Sequence, residues 1–155
     1  MTLEIGDNRI PLTFVALEVD VGNLDKAAEM ITNEDIASRH LVLFGDPASN
    51  ALIAQVIDGL PLKWTRDTLA FAGVTGSAAE HVPVLIQPNP LNAGRYVVLN
   101  SGHTFHAADF QGTNALLYPR LGDYAVLKPK GAENDPLAAD VVTAGIFDEF
   151  WRITE

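Results

Sequence analysis

The sequence contains no cysteine, so it offers no disulfide framework, no thiol nucleophile and no thiolate metal site. That absence is compatible with any compartment. Positive charge is scarce: ten Lys and Arg stand against twenty Asp and Glu, a formal net charge of −10. Such a field repels phosphate backbones and anionic head groups, which argues against nucleic acid and a membrane surface as partners. Long apolar runs are missing as well, since none approaches the ~18 residues of a spanning helix. Met1-Thr2-Leu3-Glu4 followed by Gly6-Asp7-Asn8-Arg9 lacks the pattern of a signal peptide, so an exported parent would need a targeting part that this chain does not carry. There is no internal repeat and no low-complexity linker.

What remains is 155 residues at 48% hydrophobic, enough for one domain with a buried core and too little for two, so residues 1–155 are expected to form a single domain. Arg9 to Asp20 alternates apolar and polar residues as a half-buried strand does, with Pro11 suggesting an edge position. Leu24 to Ile31 has helical spacing, and Thr32 to Ala37 reads as a capped helical turn starting at Thr32 or Asn33. Leu41-Val42-Leu43-Phe44 is a continuous apolar run of the kind buried in a parallel sheet. Gly45 to Asn50 follows as a loop and Ala51 to Ile57 as a helix that Ser49 or Asn50 can cap.

Leu62-Lys63-Trp64 and Thr68 to Ala72 flank Thr65-Arg66-Asp67 as a small hairpin. Val82 to Gln87 and Arg95 to Asn100 are further strands. Pro88 to Gly94 between them is too short for a helix, so the two pair antiparallel. A second strand-to-helix transition is expected after Asn100-Ser101-Gly102, capped at Thr104. Asp123 to Leu127 returns as a strand, Lys128 to Pro136 is a polar loop, and Val141 to Trp151 forms a last strand and short helix. The sum predicts an α/β protein: a three-layer sandwich with a mixed, mostly parallel, Rossmann-like sheet.

Asn33-Glu34-Asp35-Ile36-Ala37 leading into Leu41 to Asn50 resembles a recurring C-terminal domain of large bacterial esterase or prolyl-oligopeptidase-like proteins. Val84 to Asn92, Tyr96 to Phe105, Leu121 to Val126 and Ala144 to Glu149 match the same pattern in order. The resemblance covers about residues 33–151 and leaves 1–32 unplaced. It implies a secreted or periplasmic parent in which a separate α/β-hydrolase domain performs hydrolysis. This module would then act as a non-catalytic accessory and interaction domain, partnered by that hydrolase domain or by further copies of itself.

The residues agree with a non-catalytic reading, because no Gly-x-Ser-x-Gly elbow occurs and neither Ser77 nor Ser101 has that setting. Ser101 follows a strand with His103 and His106 nearby, which gives an alternative: a cryptic hydrolase built on Ser101 or Asp46 with His103. His103 and His106 would begin a metal site only with a further ligand, for which Asp109 is the local candidate; no metal and no cofactor are assigned. His40 and His81 stand at strand entrances, where a hydrogen bond to backbone is the expected role.

Gly45-Asp46-Pro47-Ala48-Ser49-Asn50 has the turn-then-helix form of an anion loop but neither a Walker lysine nor repeated glycines, and Asp46 would oppose a phosphate. Its structural reading is a turn at Gly45, loop amides on Asp46 and a helix cap at Ser49 or Asn50. A second alternative groups Gly45, Asp46, Ser49, Asn50, Asn89, Asn100, Ser101 and His103, with Asn92, at one sheet edge as a binding site. Neutral amides and hydroxyls there suit a sugar or a peptide group. Finally, Phe147, Phe150 and Trp151 lie at helical spacing; buried they are core, exposed they are a docking patch.

Overall fold

A computed structural model describes residues 2–5, 8–15, 31–100, 121–131 and 138–154, the first two stretches by their backbone alone. The chain divides into two compact units, one made of residues 1–60 and 86–99 and the other of 61–85 and 100–155.

In the first unit, β1 (Thr2–Ile5) pairs antiparallel with β2 (Asn8–Val15), Thr2 opposite Pro11. β2 in turn pairs parallel with β3 (His40–Leu43), from Leu12 opposite His40 to Val15 opposite Leu43. β2 therefore lies between two strands rather than at an edge, and Pro11 precedes the four residues that pair with β3. β3 pairs parallel with β8 (Asn92–Leu99), Leu43 opposite Leu99. β7 (Val82–Asn89) neighbours β8, and the two residues between them, Pro90 and Leu91, allow only an antiparallel hairpin. The strands run further than the sequence pattern indicated, so the connection shrinks to a tight turn. Gly59 makes that turn possible, since a Cβ there would meet the Pro90 ring at 2.6 Å.

Two six-residue helices accompany these strands. α1 (Asn33–Ser38) starts from Thr32, whose hydroxyl accepts from the Asp35 amide at 3.1 Å while the Asp35 carboxylate accepts from the Thr32 amide at 3.1 Å. This reciprocal capping box satisfies two of the free amides at the helix start. The bonds from Thr32, and then the charge of Arg39, hold the Asp35 carboxyl below its ordinary range. α2 (Ala51–Val56) carries Leu52, Ile53 and Val56 on one stripe, and all three are buried, while Ala51, Ala54 and Gln55 are exposed. Leu41, Leu43, Leu60, Val97 and Leu99 are buried in the same unit.

The second unit contains a three-stranded antiparallel sheet of β4 (Lys63–Trp64), β5 (Thr68–Phe71) and β6 (Val74–Ser77). The β4–β5 hairpin is as the sequence indicated. β6 is an addition, reached through Ala72 and Gly73, both at positive φ (49° and 78°). That geometry is the two-residue turn that matches strand twist. Residues Val82 to Leu85 of β7 pair antiparallel with β9 (Tyr124–Pro129), which pairs antiparallel with β10 (Ala139–Gly145). Four successive β9 residues, Tyr124 to Leu127, are buried. A row of rings lines this unit: Phe71 meets Tyr124 edge-on at 5.5 Å, Tyr124 meets Phe147 at 4.8 Å, and Phe147 meets Trp151 at 6.2 Å. Gly145 is required by close approach, because a Cβ would stand 2.5 Å from the Tyr124 hydroxyl.

This architecture corrects the expected fold. Among the residues described with their side chains 47% are in strands and 15% are helical, so the protein is mostly β and not a three-layer, Rossmann-like α/β sandwich. Among the described strand pairs only β2–β3 and β3–β8 are parallel, besides an isolated parallel bridge between Gly122 and Gly145. A mostly parallel sheet needs a helical crossover between successive strands, and from Leu62 to Leu99 the chain makes hairpins instead. The C-terminal helix is absent too. Asp148 Oδ1 accepts from the amides of Phe150 and Arg152 at 2.9 and 2.8 Å, and this side-chain capture of local amides competes with helical bonding. Phe147 to Ile153 closes as a turn with an antiparallel bridge between its ends. Of the helix expected from Leu24 to Ile31 only Ile31 is among the described residues, and it is not helical; the transition after Asn100 lies outside them.

Candidate functional site

The loop from Gly45 to Asn50 connects β3 to α2, and its polar groups bond to one another. Gly45 sits at φ +99°, where a Cβ would stand 2.7 Å from Ser49 Oγ. Asp46 Oδ1 accepts from the amides of Ala48 and Ser49 at 2.7 and 2.9 Å, and Ser49 Oγ accepts from the Asp46 amide at 2.9 Å. Asn50 is the helix cap. Its Oδ1 accepts from the amides of Leu52 and Ile53 at 3.0 and 3.3 Å, and its Nδ2 donates to the Phe44 carbonyl at 2.9 Å. At 1% exposure this side chain joins the end of the strand to the start of the helix and has no face turned to solvent.

The parallel register of Leu43 with Leu99 brings β3 and β8 to an end together, with Phe44 following one and Asn100 the other. Ser101 and His103, with His106 and Asp109, lie outside the described residues. Asn89 is placed differently. It closes β7 beside the start of β8, the end of the hairpin remote from Leu99. There it is 1% exposed, with Oδ1 accepting from the Leu91 amide at 3.0 Å and Nδ2 without a partner among the described residues. Asn92 is at that same end, with Nδ2 donating to the Ala37 carbonyl at 2.7 Å and Oδ1 accepting from the Gly94 amide at 3.0 Å. Gly45, Asp46, Ser49 and Asn50 are thus brought together, while Asn89 and Asn92 are not brought to them.

A second cluster, around His40, forms where α1 meets β8. Arg95 Nε donates to the Ser38 carbonyl at 2.9 Å, satisfying a terminal helix carbonyl from outside the helix. The Tyr96 amide donates to His40 Nδ1 at 2.9 Å, and the His40 and Tyr96 rings stack with centroids 5.3 Å apart. His40 must therefore be unprotonated at Nδ1. Burial, and then the positive charge of Arg95, hold its pKa below the ordinary value. A shallow hollow of about 430 Å³ opens nearby, lined by Asn33, Ile36, Ala37, Gln55, Leu91 and Asn92. His81 is used by the backbone as expected, its Nδ1 lying 3.0 Å from the Ser77 carbonyl.

The second unit carries an acidic and aromatic hollow at the end of β10. It measures about 290 Å³ and is lined by Asp123, Phe147, Asp148, Glu149 and Trp151. Asp123 Oδ2 accepts from the Phe147 amide at 3.1 Å. Asp148 Oδ2 accepts from Arg152 Nε at 2.8 Å, and that bond, with the backbone donors, holds the Asp148 carboxyl below its ordinary range. Beside the hollow, Ile146 and Phe150 are 67% and 65% exposed, and on β10 Val141 and Val142 are 52% and 44% exposed. A bulge between Val141 and Thr143 leaves Val142 without a partner residue on β9. Sequence spacing had singled out Phe147, Phe150 and Trp151 as a group. The structure separates them: Phe147 is buried, Trp151 half-buried and Phe150 exposed.

Among the described residues no three His, Asp or Glu group as metal ligands, and no helix is long and apolar enough to cross a membrane. Comparison of the chain with protein-family models, with curated proteins and with solved structures gives no match.

Proposed function

We propose that this chain is a non-catalytic interaction module, with its contact surface on β10 and the turn that follows it. The observation that carries the reading is the group of four large apolar side chains, Val141, Val142, Ile146 and Phe150, left in solvent by a unit that buries Leu69, Phe71, Tyr124, Val126 and Phe147. Large apolar side chains exposed on one strand and the turn after it, with Asp140, Asp148 and Glu149 beside them in sequence, suit a surface that another protein covers. The resemblance to accessory domains of bacterial serine hydrolases supplies the partner: an α/β-hydrolase domain, with a second copy of this chain as the alternative. The rival ligand site at Gly45 to Asn50 has less support, because Asp46 Oδ1, Ser49 Oγ and the Asn50 side chain are bonded to backbone groups of the loop and the elements it joins.

Two measurements test this. Photo-crosslinkers placed at Ile146 and at Phe150 in the producing cell should give adducts with one protein, whereas the same group at Thr75, exposed on β6, should not. Equal labelling from all three positions refutes the contact surface. Incubation of the folded chain with a panel of activated esters and peptide anilides should give no turnover. Turnover that disappears in Ser101→Ala or His103→Ala would make the chain an enzyme.

A further inference from the structure

Resting on the interaction reading above, we infer the chemistry of the partner: the β10 edge and the hollow at its end accept an extended segment that carries an arginine. β10 is the terminal strand of its sheet, so among the described residues its outer edge has no strand beside it. An extended segment laid there gains main-chain hydrogen bonds from the edge, and a side-chain pocket beside the edge supplies selectivity. Val141, Val142, Ile146 and Phe150 supply the apolar contact.

The hollow sets the sign of the charge. Three carboxyl-bearing residues, Asp123, Asp148 and Glu149, line it, and no cation is within bonding distance of the Asp123 or Glu149 carboxylates among the described residues. Asp140 on β10 is already paired with Lys130. The chain as a whole carries a formal charge of −10. A second copy would bring the same carboxylates against these, and like charges brought together at an interface oppose binding. A basic partner removes that opposition.

The hollow also favours guanidinium over ammonium. The buried Phe147 and the half-buried Trp151 are among the residues that line it, and a planar cation stacks on an aromatic ring while its donors reach a carboxylate. The same turn already holds one guanidinium in this way. Arg152 places Nε and Nη2 each 2.8 Å from Asp148 Oδ2, and its guanidinium carbon stands 4.9 Å from the centre of the Phe150 ring. The turn thus shows within one chain the contact it offers to another.

The test uses capped, fluorescently labelled peptides of about eight residues, the length of an ordinary strand. They alternate valine and threonine and differ only at one central position: arginine, lysine, glutamine or glutamate. Anisotropy titrations with the whole chain should show the arginine peptide binding about tenfold or more tightly than the glutamine and glutamate peptides, lysine lying between. Added salt should narrow that gap, and Glu149→Gln should weaken the arginine peptide several-fold while leaving the glutamine peptide unchanged. Equal binding of all four peptides overturns the basic-partner inference and leaves the contact surface standing. No peptide binding, with crosslinks still formed at Ile146 and Phe150, overturns the inference alone; no binding and no crosslinks overturns both.

Discussion

Replacing Asn50 with alanine removes three hydrogen bonds made by one buried side chain, and the expected loss of stability follows from what each group then lacks. Loss of an N-cap of this type costs about 1 kcal/mol, within a range of about 0.5–2. The Phe44 carbonyl loses its 2.9 Å donor as well, and a partly buried acceptor left without a partner costs about 1–3 kcal/mol. The two effects share one side chain and do not simply add, so Asn50→Ala should cost about 2–4 kcal/mol. Asn50→Ser keeps a cap acceptor but is too short to reach Phe44, and should cost about 1–2 kcal/mol. Urea unfolding followed by far-UV circular dichroism measures this, with a slope of about 1–3 kcal/mol per molar; the Asn50→Ala midpoint should fall by about 1–2 M. Amide exchange supplies an independent reading, since the Leu52 and Ile53 amides should lose protection. A loss below about 0.5 kcal/mol with those amides still protected would refute the claim that Asn50 fastens β3 to α2.

Three further outcomes follow from the geometry. Ala72 occupies a left-handed turn position beside Gly73, so Ala72→Asn should stabilise the chain by about 0.5–1 kcal/mol, and an unchanged urea midpoint would refute this account of the turn. Gly145→Ala forces a methyl group against the buried Tyr124 ring and should cost about 1–3 kcal/mol; a neutral result would show that β9 and β10 can separate at that point. His40 has a pKa held below its ordinary value of 6.5, so the unfolded chain binds its proton first. Its contribution is complete above the unfolded value and is lost as pH falls through the folded value. The wild type should therefore lose more stability between neutral and mildly acid pH than His40→Gln does, and parallel pH profiles would show that the Tyr96 bond is not coupled to folding.

Local signals in the sequence were legible where one side chain governs one turn of backbone. Thr32 or Asn33 reads as a helix cap, Ser49 or Asn50 stands ahead of an apolar stripe, and Thr65 to Asp67 separates two short strands; the structure has all three features, with Thr32 and Asn50 as the caps. The fold class was not legible, because double-sided apolar runs such as Tyr124 to Leu127 look alike in a parallel sheet and in a buried antiparallel one. Pairing direction is set by the connections: the short Pro88 to Gly94 stretch revealed one hairpin, while the turn at Ala72-Gly73 lacks the Asn-Gly pattern that announces another. The spacing of Phe147, Phe150 and Trp151 misled for another reason. A period near 3.6 marks a helix only if the backbone amides are free to bond along it, and Asp148 takes two of them.

The same accounting separates the two candidate regions of the molecule. A buried polar side chain whose donors and acceptors are all matched within its own loop stabilises that loop and leaves nothing with which to recognise a ligand. Asn50 is in that position, and Asp46 Oδ1 and Ser49 Oγ are also bonded within the loop, although Asp46 is exposed; their residue types and their place after a strand made the loop an alternative binding site in the sequence. At the end of β10 the balance is reversed: Asp148 takes two amides of the turn, while apolar surface is exposed and the Glu149 carboxylate has no cation beside it among the described residues. Surface that folding leaves unmatched is what an interaction can use, and its combination of apolar side chains with negative charge restricts the partners that gain from covering it.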